Sequence, residues 1–200
     1  MSNAIMFTCG ITLLLSNILI VHELLIVKRN TLNNKNIQQL EQEKWHNAAY
    51  KDGLTLLDNR RSYIEEMNII EKTSNKQSVV HAVMIDVDNF KKVNDSFGHR
   101  FGDAVLKKTA DFIRQYFPSE NCKAFRIGGD EFAVIVKDTT TETLGVQIER
   151  IAQISMEQIG CSLSIGYARV KFGMNKAMET AFEHADRNMY LMKESKVNRR

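Results

Sequence analysis

Two short acidic segments contain the residues of this chain that are best suited to chemistry. Gly128-Gly129-Asp130-Glu131 lies between two runs typical of β-strands, and Asp86-Val87-Asp88 ends a mostly apolar run. Glycine permits a positive φ and close approach of the backbone to a ligand, and neighbouring carboxylates can hold a divalent cation. A Gly-Gly hairpin turn alone is usually only a turn. Two acidic strand ends in one domain predict a site for a metal ion and a phosphate group.

Asp86 and Asp130 form the centre of this predicted site. The hairpin that carries Asp130 can pair beside the strand that carries Asp86, and two repelling carboxylates are most easily retained around a divalent cation. One or two magnesium ions there could activate a ribose hydroxyl and stabilise a pyrophosphate leaving group. Solvated turn acids are the structural alternative. Because neighbours in a strand face opposite sides, the inward acid of each pair (Asp86 or Asp88, Asp130 or Glu131) stays open.

A set of polar residues follows the first acidic segment. Lys91 is suited to meet phosphate, and Asn94 and Asp103 offer the donors and acceptors that read a guanine edge. His99 lies between them. Taken singly, each of these residues is more often a cap or a surface residue, so they support a nucleotide site only as a set.

The composition bounds the class of protein. The 200 residues are 44% hydrophobic and 26% charged, which indicates a globular domain with appendages. A formal charge of +3 without a long basic block argues against a nucleic-acid polymer as partner. Cys9, Cys122 and Cys161 have no Cys-x-x-Cys spacing, which favours a reducing compartment and argues against a zinc site.

The first 29 residues predict a membrane anchor. Ile5–Val21 contains no charged residue, and Leu24–Val27 resumes the apolar run after His22 and Glu23. At about 1.5 Å per residue, a helix over residues 5–27 can cross a hydrocarbon core roughly 30 Å thick. The alternative is a secretory signal peptide, which would need basic residues before the run and a small-x-small cleavage site after it.

Basic residues after the apolar run set the predicted orientation. Lys28, Arg29 and Lys35 place the following domain in the cytoplasm, on a single-pass protein of the inner or plasma membrane. About four residues precede the run, so we expect no sensor domain outside the membrane on this chain.

Residues 30–51 predict a helical linker, and residues 52–200 predict one α+β domain. The linker is polar and lacks Gly and Pro, and both a coiled coil with a second copy and an exposed connector fit it. The domain shows the pattern order α-β-α-α-β-β-α-β-α, with a buried strand over 79–86, a hairpin over 123–137 and a last helix over 175–195. Hairpins combined with helical crossovers favour a mainly antiparallel central sheet flanked by helices.

These motifs resemble the GGDEF domains, diguanylate cyclases that join two GTP molecules into cyclic dimeric GMP. The resemblance runs from Asp52 to about Asn198. It rests on motifs in family order: Asp52–Arg61, Asp86–Asp95, Gly98-His99, Gly102-Asp103, Gly128–Phe132, Ser164–Gly166 and Ala185–Lys193.

The resemblance implies a palm-like α+β domain of the nucleotidyl-cyclase type that uses Mg²⁺ (or Mn²⁺). Asp86, the carbonyl of Val87 and Asp130 look like the metal ligands. Asp130 with Glu131 looks like the acid that handles the ribose 3′-hydroxyl, and Lys91 looks like the cation that stabilises the transition state. The substrate-binding set implied by the resemblance is Asn94, His99, Asp103, Gly128, Gly129 and Lys193.

The chain departs from the family at three places. Leu56 stands where the family usually has Gly, and Lys196-Val197 stands for Gly-Arg, which removes one expected phosphate contact. Ser119 and Cys122 replace the Arg and Asp of the family's product-inhibition motif. We expect an active enzyme that works as a homodimer, because each product needs two GTP molecules. The alternative is a catalytically inactive GGDEF domain that binds GTP or a protein partner.

Overall fold

The computed structural model describes the backbone of residues 2–197 and the side chains of residues 22–42 and 44–196. The chain divides into two compact units, Met1–Asn47 and Ala48–Arg200. Helix α1 (Ser2–Tyr50) covers the segments predicted as anchor and linker, and the side chains of the anchor's main apolar run, residues 5–21, lie outside the described part. Among the residues searched in the described part, no helix combines the length and the apolar character that crossing a membrane requires.

The second unit contains the helices and strands predicted from the sequence and one further strand. In chain order they are β1 (Asp58–Asn59), α2 (Arg60–Thr73), β2 (Val80–Val87), α3 (Phe90–Phe97), α4 (His99–Tyr116), β3 (Cys122–Arg126), β4 (Glu131–Lys137), α5 (Thr141–Ile159), β5 (Leu163–Arg169) and α6 (Ala177–Val197). The Asn59 side chain caps α2 by accepting a hydrogen bond from the backbone N–H of Ser62 at 3.1 Å. The further strand, β1, consists of two residues only.

The sheet is mixed, with the strand order β1-β3-β4-β2-β5. β1 runs parallel to β3, and the other three pairings are antiparallel. Every residue of β2 is buried, as its nearly continuous apolar run predicts for a strand covered on both faces. In the sheet, β2 lies between β4 and β5. Its carboxyl end lies beside the hairpin turn that joins β3 to β4.

Side chains alternate along β2 between two apolar layers. Val83 and Ile85 belong to the core cluster that includes residues of α4 and α5, whereas Ala82 and Met84 belong to the cluster that includes residues of α2 and α6. The alternation places Asp86 on the same face as Met84. Asp86, near the carboxyl end of β2, therefore lies on the face of the sheet that α6 covers.

Candidate active site

Strand register brings the two acidic segments together. Asp86 of β2 pairs directly with Glu131 of β4, and Ser164 of β5 pairs with Asp86 on its other side. The backbone N–H of Val87 donates to the carbonyl of Asp130 at 3.2 Å. Since directly opposed residues of an antiparallel pair share a face, the Asp86 and Glu131 side chains lie on the α6 side of the sheet.

Lys193 is the cation that faces these acids from α6. Its ammonium group lies 2.6 Å from Oδ1 of Asp86, whose residue is only 7% exposed. Burial raises the pKa of Asp86, the Lys193 hydrogen bond opposes that rise, and the nearby charges of Asp130 and Asp88 add to it. Burial also raises the pKa of Glu131, together with the charges of Asp130 and Asp86. A further cation at this position would stabilise the crowded carboxylates.

The donor set fits a magnesium or manganese ion. Asp86 and Asp130 could supply carboxylate oxygens and Val87 a carbonyl, which are the hard oxygen ligands that Mg²⁺ prefers. Within the described residues, no group of three or more His, Cys, Asp or Glu side chains is arranged so that it could hold a metal ion. Two carboxylates and one carbonyl are nevertheless enough where substrate phosphates and water complete the coordination.

The two hairpin glycines matter for the space that their missing side chains leave, and neither adopts a positive φ. The sequence suggested two reasons for Gly128 and Gly129, a positive φ and close approach of a ligand. The first is wrong, since neither residue has a positive φ. A Cβ on Gly128 would collide with the Glu131 carboxylate, whereas a Cβ on Gly129 would meet no protein atom within 4 Å. Gly128 therefore leaves room for Glu131, and Gly129 leaves open space at the tip.

Arg126 fixes the hairpin tip and was not recognised from the sequence. Its guanidinium group donates to the carbonyl of Gly129 at 2.8 Å and to Oδ1 of Asp52 at 3.0 Å. Asp52 also accepts from the Thr55 hydroxyl at 2.6 Å, and these bonds lower the pKa of Asp52 although burial alone would raise it. The available sequence signal was the presence of opposite charges at Asp52, the first residue of the predicted domain, and at Arg126, two residues before Gly128.

Four of the predicted site residues, Lys91, Asn94, His99 and Asp103, lie on α3 and α4, directly after β2. Lys91, His99 and Asp103 are exposed. Oδ1 of Asn94 is buried and has no hydrogen-bond partner among the described residues. Gly102 lies so close to this oxygen that a Cβ at position 102 would collide with it. This acceptor lacks a donor in the structure, and the ring and amino N–H groups of guanine are donors of the kind that it needs.

A pocket of about 580 Å³ lies over the acidic end of the sheet. It brings together Asp86, Glu131 and Lys193, and its remaining wall is a face of α6: Glu183, Asp186, Arg187, Met189 and Tyr190. No role in the site was predicted for these five α6 residues, although four of them lie within the motif Ala185–Lys193. Their three- and four-residue spacing was the signal that could have revealed them. Lys91, Asn94, His99 and Asp103 do not line this pocket.

A second pocket, of about 520 Å³, contains Ser119 and Cys122. Lys123 and Lys137 at its wall form ion pairs with Glu66, at 2.9 and 3.2 Å. Burial raises the pKa of the Cys122 thiol to about 11, so it stays protonated at neutral pH. The loss of product inhibition at this position remains a prediction.

Comparison with known proteins identifies the family. The family described as "Diguanylate cyclase, GGDEF domain" matches residues 49–199. The chain belongs to the GGDEF family. This confirms the resemblance inferred from the motifs.

Two relatives and one solved structure show how far the similarity extends. Diguanylate cyclase DgcS of Shewanella oneidensis is 37% identical over 168 residues, covering 81% of this GGDEF protein and 55% of DgcS. An uncharacterized membrane protein of Staphylococcus epidermidis, SERP0413, is 30% identical over 166 residues, covering 78% of this chain and 46% of that protein. The chain thus spans about half the length of these relatives.

The solved structure confirms the fold. The coiled coil and GGDEF domain of DgcB from Caulobacter crescentus, in complex with c-di-GMP, matches with a TM-score of 0.72. The match covers 85% of this chain and 95% of the DgcB chain at 24% identity. The palm-like α+β fold, with a mixed sheet flanked by helices, is therefore the fold of this GGDEF protein.

Proposed function

We propose that this GGDEF protein is a diguanylate cyclase that condenses two GTP molecules into cyclic dimeric GMP and two pyrophosphates, with Mg²⁺ (or Mn²⁺) and as a homodimer. The observation that carries the proposal is the pairing of Asp86 with Glu131 beside Asp130, under the Lys193 ammonium group. Family membership and the identity with DgcS support it.

We assign the acids of the site two roles: some hold the metal ion, and one accepts the proton of the ribose 3′-hydroxyl. Asp86, Asp130 and the Val87 carbonyl would hold the ion, which when bound supplies positive charge that activates the ribose 3′-hydroxyl and neutralises the pyrophosphate. Glu131 beside Asp130 is suited to accept the hydroxyl proton, because its exposed carboxylate lies on the same face of the sheet as Asp86.

Two lysines, Lys91 and Lys193, and the amide of Asn94 would contact the nucleotide. Lys91 on the exposed side of α3 would stabilise charge on the transferring phosphate. Lys193, which lies beside Asp86, would contact a phosphate oxygen of the nucleotide. The unpaired Oδ1 of Asn94, with His99 and Asp103 nearby in sequence, would bind the base, and Gly128 and Gly129 would let the backbone lie against the nucleotide.

The homodimer and the membrane anchor are part of the same proposal. Each domain binds one GTP, so two domains must face each other with two-fold symmetry to close the product ring. We propose residues 1–29 as a single-pass anchor, residues 30–51 as the linker and residues 52–200 as the cytoplasmic cyclase domain. The membrane protein SERP0413 and the apolar run at residues 5–21 support the anchor.

A cyclase assay on the full chain in detergent tests the proposal. With GTP and Mg²⁺, we expect cyclic dimeric GMP and two equivalents of pyrophosphate, and no product after chelation of the metal. GTP binding without any product, at enzyme concentrations that favour dimers, would instead support the inactive GGDEF domain.

A further inference from the structure

Asp88 is a buried carboxylate that the proposed chemistry does not use. It is 7% exposed and lies two residues after Asp86. Its oxygens accept hydrogen bonds from the hydroxyls of Ser162 and Ser164, both at 2.6 Å, and from the Lys196 ammonium group at 2.8 Å. One ammonium group and two hydroxyls therefore hold this carboxylate in place.

Lys196 is fully engaged by protein atoms. Besides Asp88, its ammonium group donates to the carbonyl of Leu163 at 2.6 Å and to the hydroxyl of Ser164 at 3.3 Å. An ammonium group has three donors, and all three are used here. A phosphate contact would break part of this arrangement and leave the buried Asp88 charge without its counterion, which is costly.

The segment that carries the proposed metal ligands is held from both neighbouring strands. The Val87 N–H donates to Asp130 of the hairpin, and the Asp88 N–H donates to the carbonyl of Ser162 at 2.9 Å. Asn89, the next residue, has a left-handed φ of 57°, so the chain turns sharply into α3. The Asp88 side chain therefore joins this turn to β5 and to α6.

We infer that Asp88 and Lys196 form a positioning pair, which fixes the Asp86 carboxylate and the Val87 carbonyl in the geometry that binds the metal. Lys196, where the family usually has Gly, acts through Asp88 and does not contact phosphate. This inference rests on the proposed function. Residues that orient metal ligands typically change metal affinity by roughly 10- to 100-fold when removed.

Manganese binding to the full chain in detergent separates a positioning role from a phosphate contact. Free Mn²⁺ is titrated by electron paramagnetic resonance with a saturating, non-hydrolysable GTP analogue. We expect Lys196→Met, Asp88→Asn and Ser162→Ala to weaken Mn²⁺ binding by roughly 10-fold or more. At saturating Mn²⁺, analogue affinity should return to the wild-type value, because no variant removes a phosphate contact.

Controls address folding and substitution chemistry. Lys108→Met makes the same change at an exposed lysine of α4 and should leave Mn²⁺ affinity unchanged. Thermal melting checks each variant, since Lys196→Met leaves a buried charge. The double variant Asp88→Asn/Lys196→Met should melt higher than Lys196→Met alone, because the unpaired charge is gone. Ser162→Ala, which keeps both charges, decides the question if Lys196→Met does not fold.

Three results would overturn the inference, and they are distinguishable. Mn²⁺ affinity within about twofold of wild type in folded Lys196→Met and Ser162→Ala, a change of less than about 0.5 kcal/mol, contradicts the positioning role alone. Weakened analogue binding that persists at saturating Mn²⁺ would show that Lys196 contacts phosphate. Wild-type protein that binds no Mn²⁺ with the analogue would overturn the proposed function and this inference together.

Discussion

Single residues at the acidic end of β2 define what the site can bind. Lys193 pairs with Asp86, and the same carboxylate is one of the proposed metal ligands. Lysine and metal would therefore compete for one group. In the structure, the Lys193 ammonium group supplies part of the positive charge that stabilises the neighbouring acids.

The two hairpin glycines permit a matched test. In Gly128→Ala, the new methyl group displaces the flexible Glu131 carboxylate, so we expect turnover to fall about tenfold or more, or ~1.4 kcal/mol, with little loss of thermal stability. In Gly129→Ala, the fold should be unaffected, and GTP affinity should fall if the nucleotide lies against the turn. Turnover, GTP affinity and melting temperature are measured for each.

Gly53→Ala is the control for both variants. Gly53 also has no protein atom within 4 Å of an added Cβ, and it lies outside the proposed site. Its activity and stability should match wild type. Full activity in both hairpin variants would show that neither turn glycine is close to the reaction.

At the scale of elements, β2 and its hairpin partner were predictable because their signals are local. An unbroken apolar run indicated β2, and the Gly-Gly turn between two strand-like runs indicated β3 and β4. β1 was missed because two residues carry no periodicity. No role was predicted for the polar face of α6. Its three- and four-residue spacing places those residues on one side of the helix, but tertiary packing decides that this side meets the acids.

A three-element ion cluster stabilises the opposite end of the sheet. Glu66 of α2 accepts hydrogen bonds from Lys123 of β3 at 2.9 Å and from Lys137 of β4 at 3.2 Å. Burial alone would raise the pKa of Glu66, but the two lysines lower it below its ordinary value of 4.5. The stabilisation is therefore complete above the unfolded-state pKa and is lost as the pH falls through the lower folded-state pKa.

Glu66→Gln should therefore show a pH-dependent defect. At pH 7 we expect the free energy of unfolding to fall by about 1 kcal/mol, because both lysines are partly exposed. The difference from wild type should shrink between about pH 5 and pH 3. Urea denaturation across this range measures it, with exposed Glu157→Gln of α5 as the control. A difference that stays constant with pH would contradict the ionic origin.

At the scale of the whole molecule, the proposed reaction needs two copies of the chain. The exposed apolar residues of the described part of α1, among them Leu32, Ile37 and Leu40, fit a helix that pairs with a second copy. An anchor would further confine two chains to one surface and raise their effective concentration. The sequence predicts helix pairing and the anchor only from residue patterns, because the contacts that would form them lie between this chain and other molecules.

Concentration dependence tests the dimer. For residues 31–200, without the anchor, we expect specific activity to rise with enzyme concentration, because only paired domains can close the product ring. The measurement is product formed per molecule across about a thousandfold dilution. Flat activity over that range would contradict a requirement for reversible dimerisation.

Turnover by Asp130→Asn tests most directly whether this protein is a metal-dependent cyclase that works through the paired acids. Asparagine keeps the shape and removes the charge that would hold the ion, so we expect the rate at saturating Mg²⁺ to fall well below a tenth of wild type, while the metal-free melting temperature changes little. Asp111→Asn on the exposed face of α4 is the matched control and should remain active. A rate for Asp130→Asn above about a tenth of wild type, a loss of less than ~1.4 kcal/mol, would contradict the account.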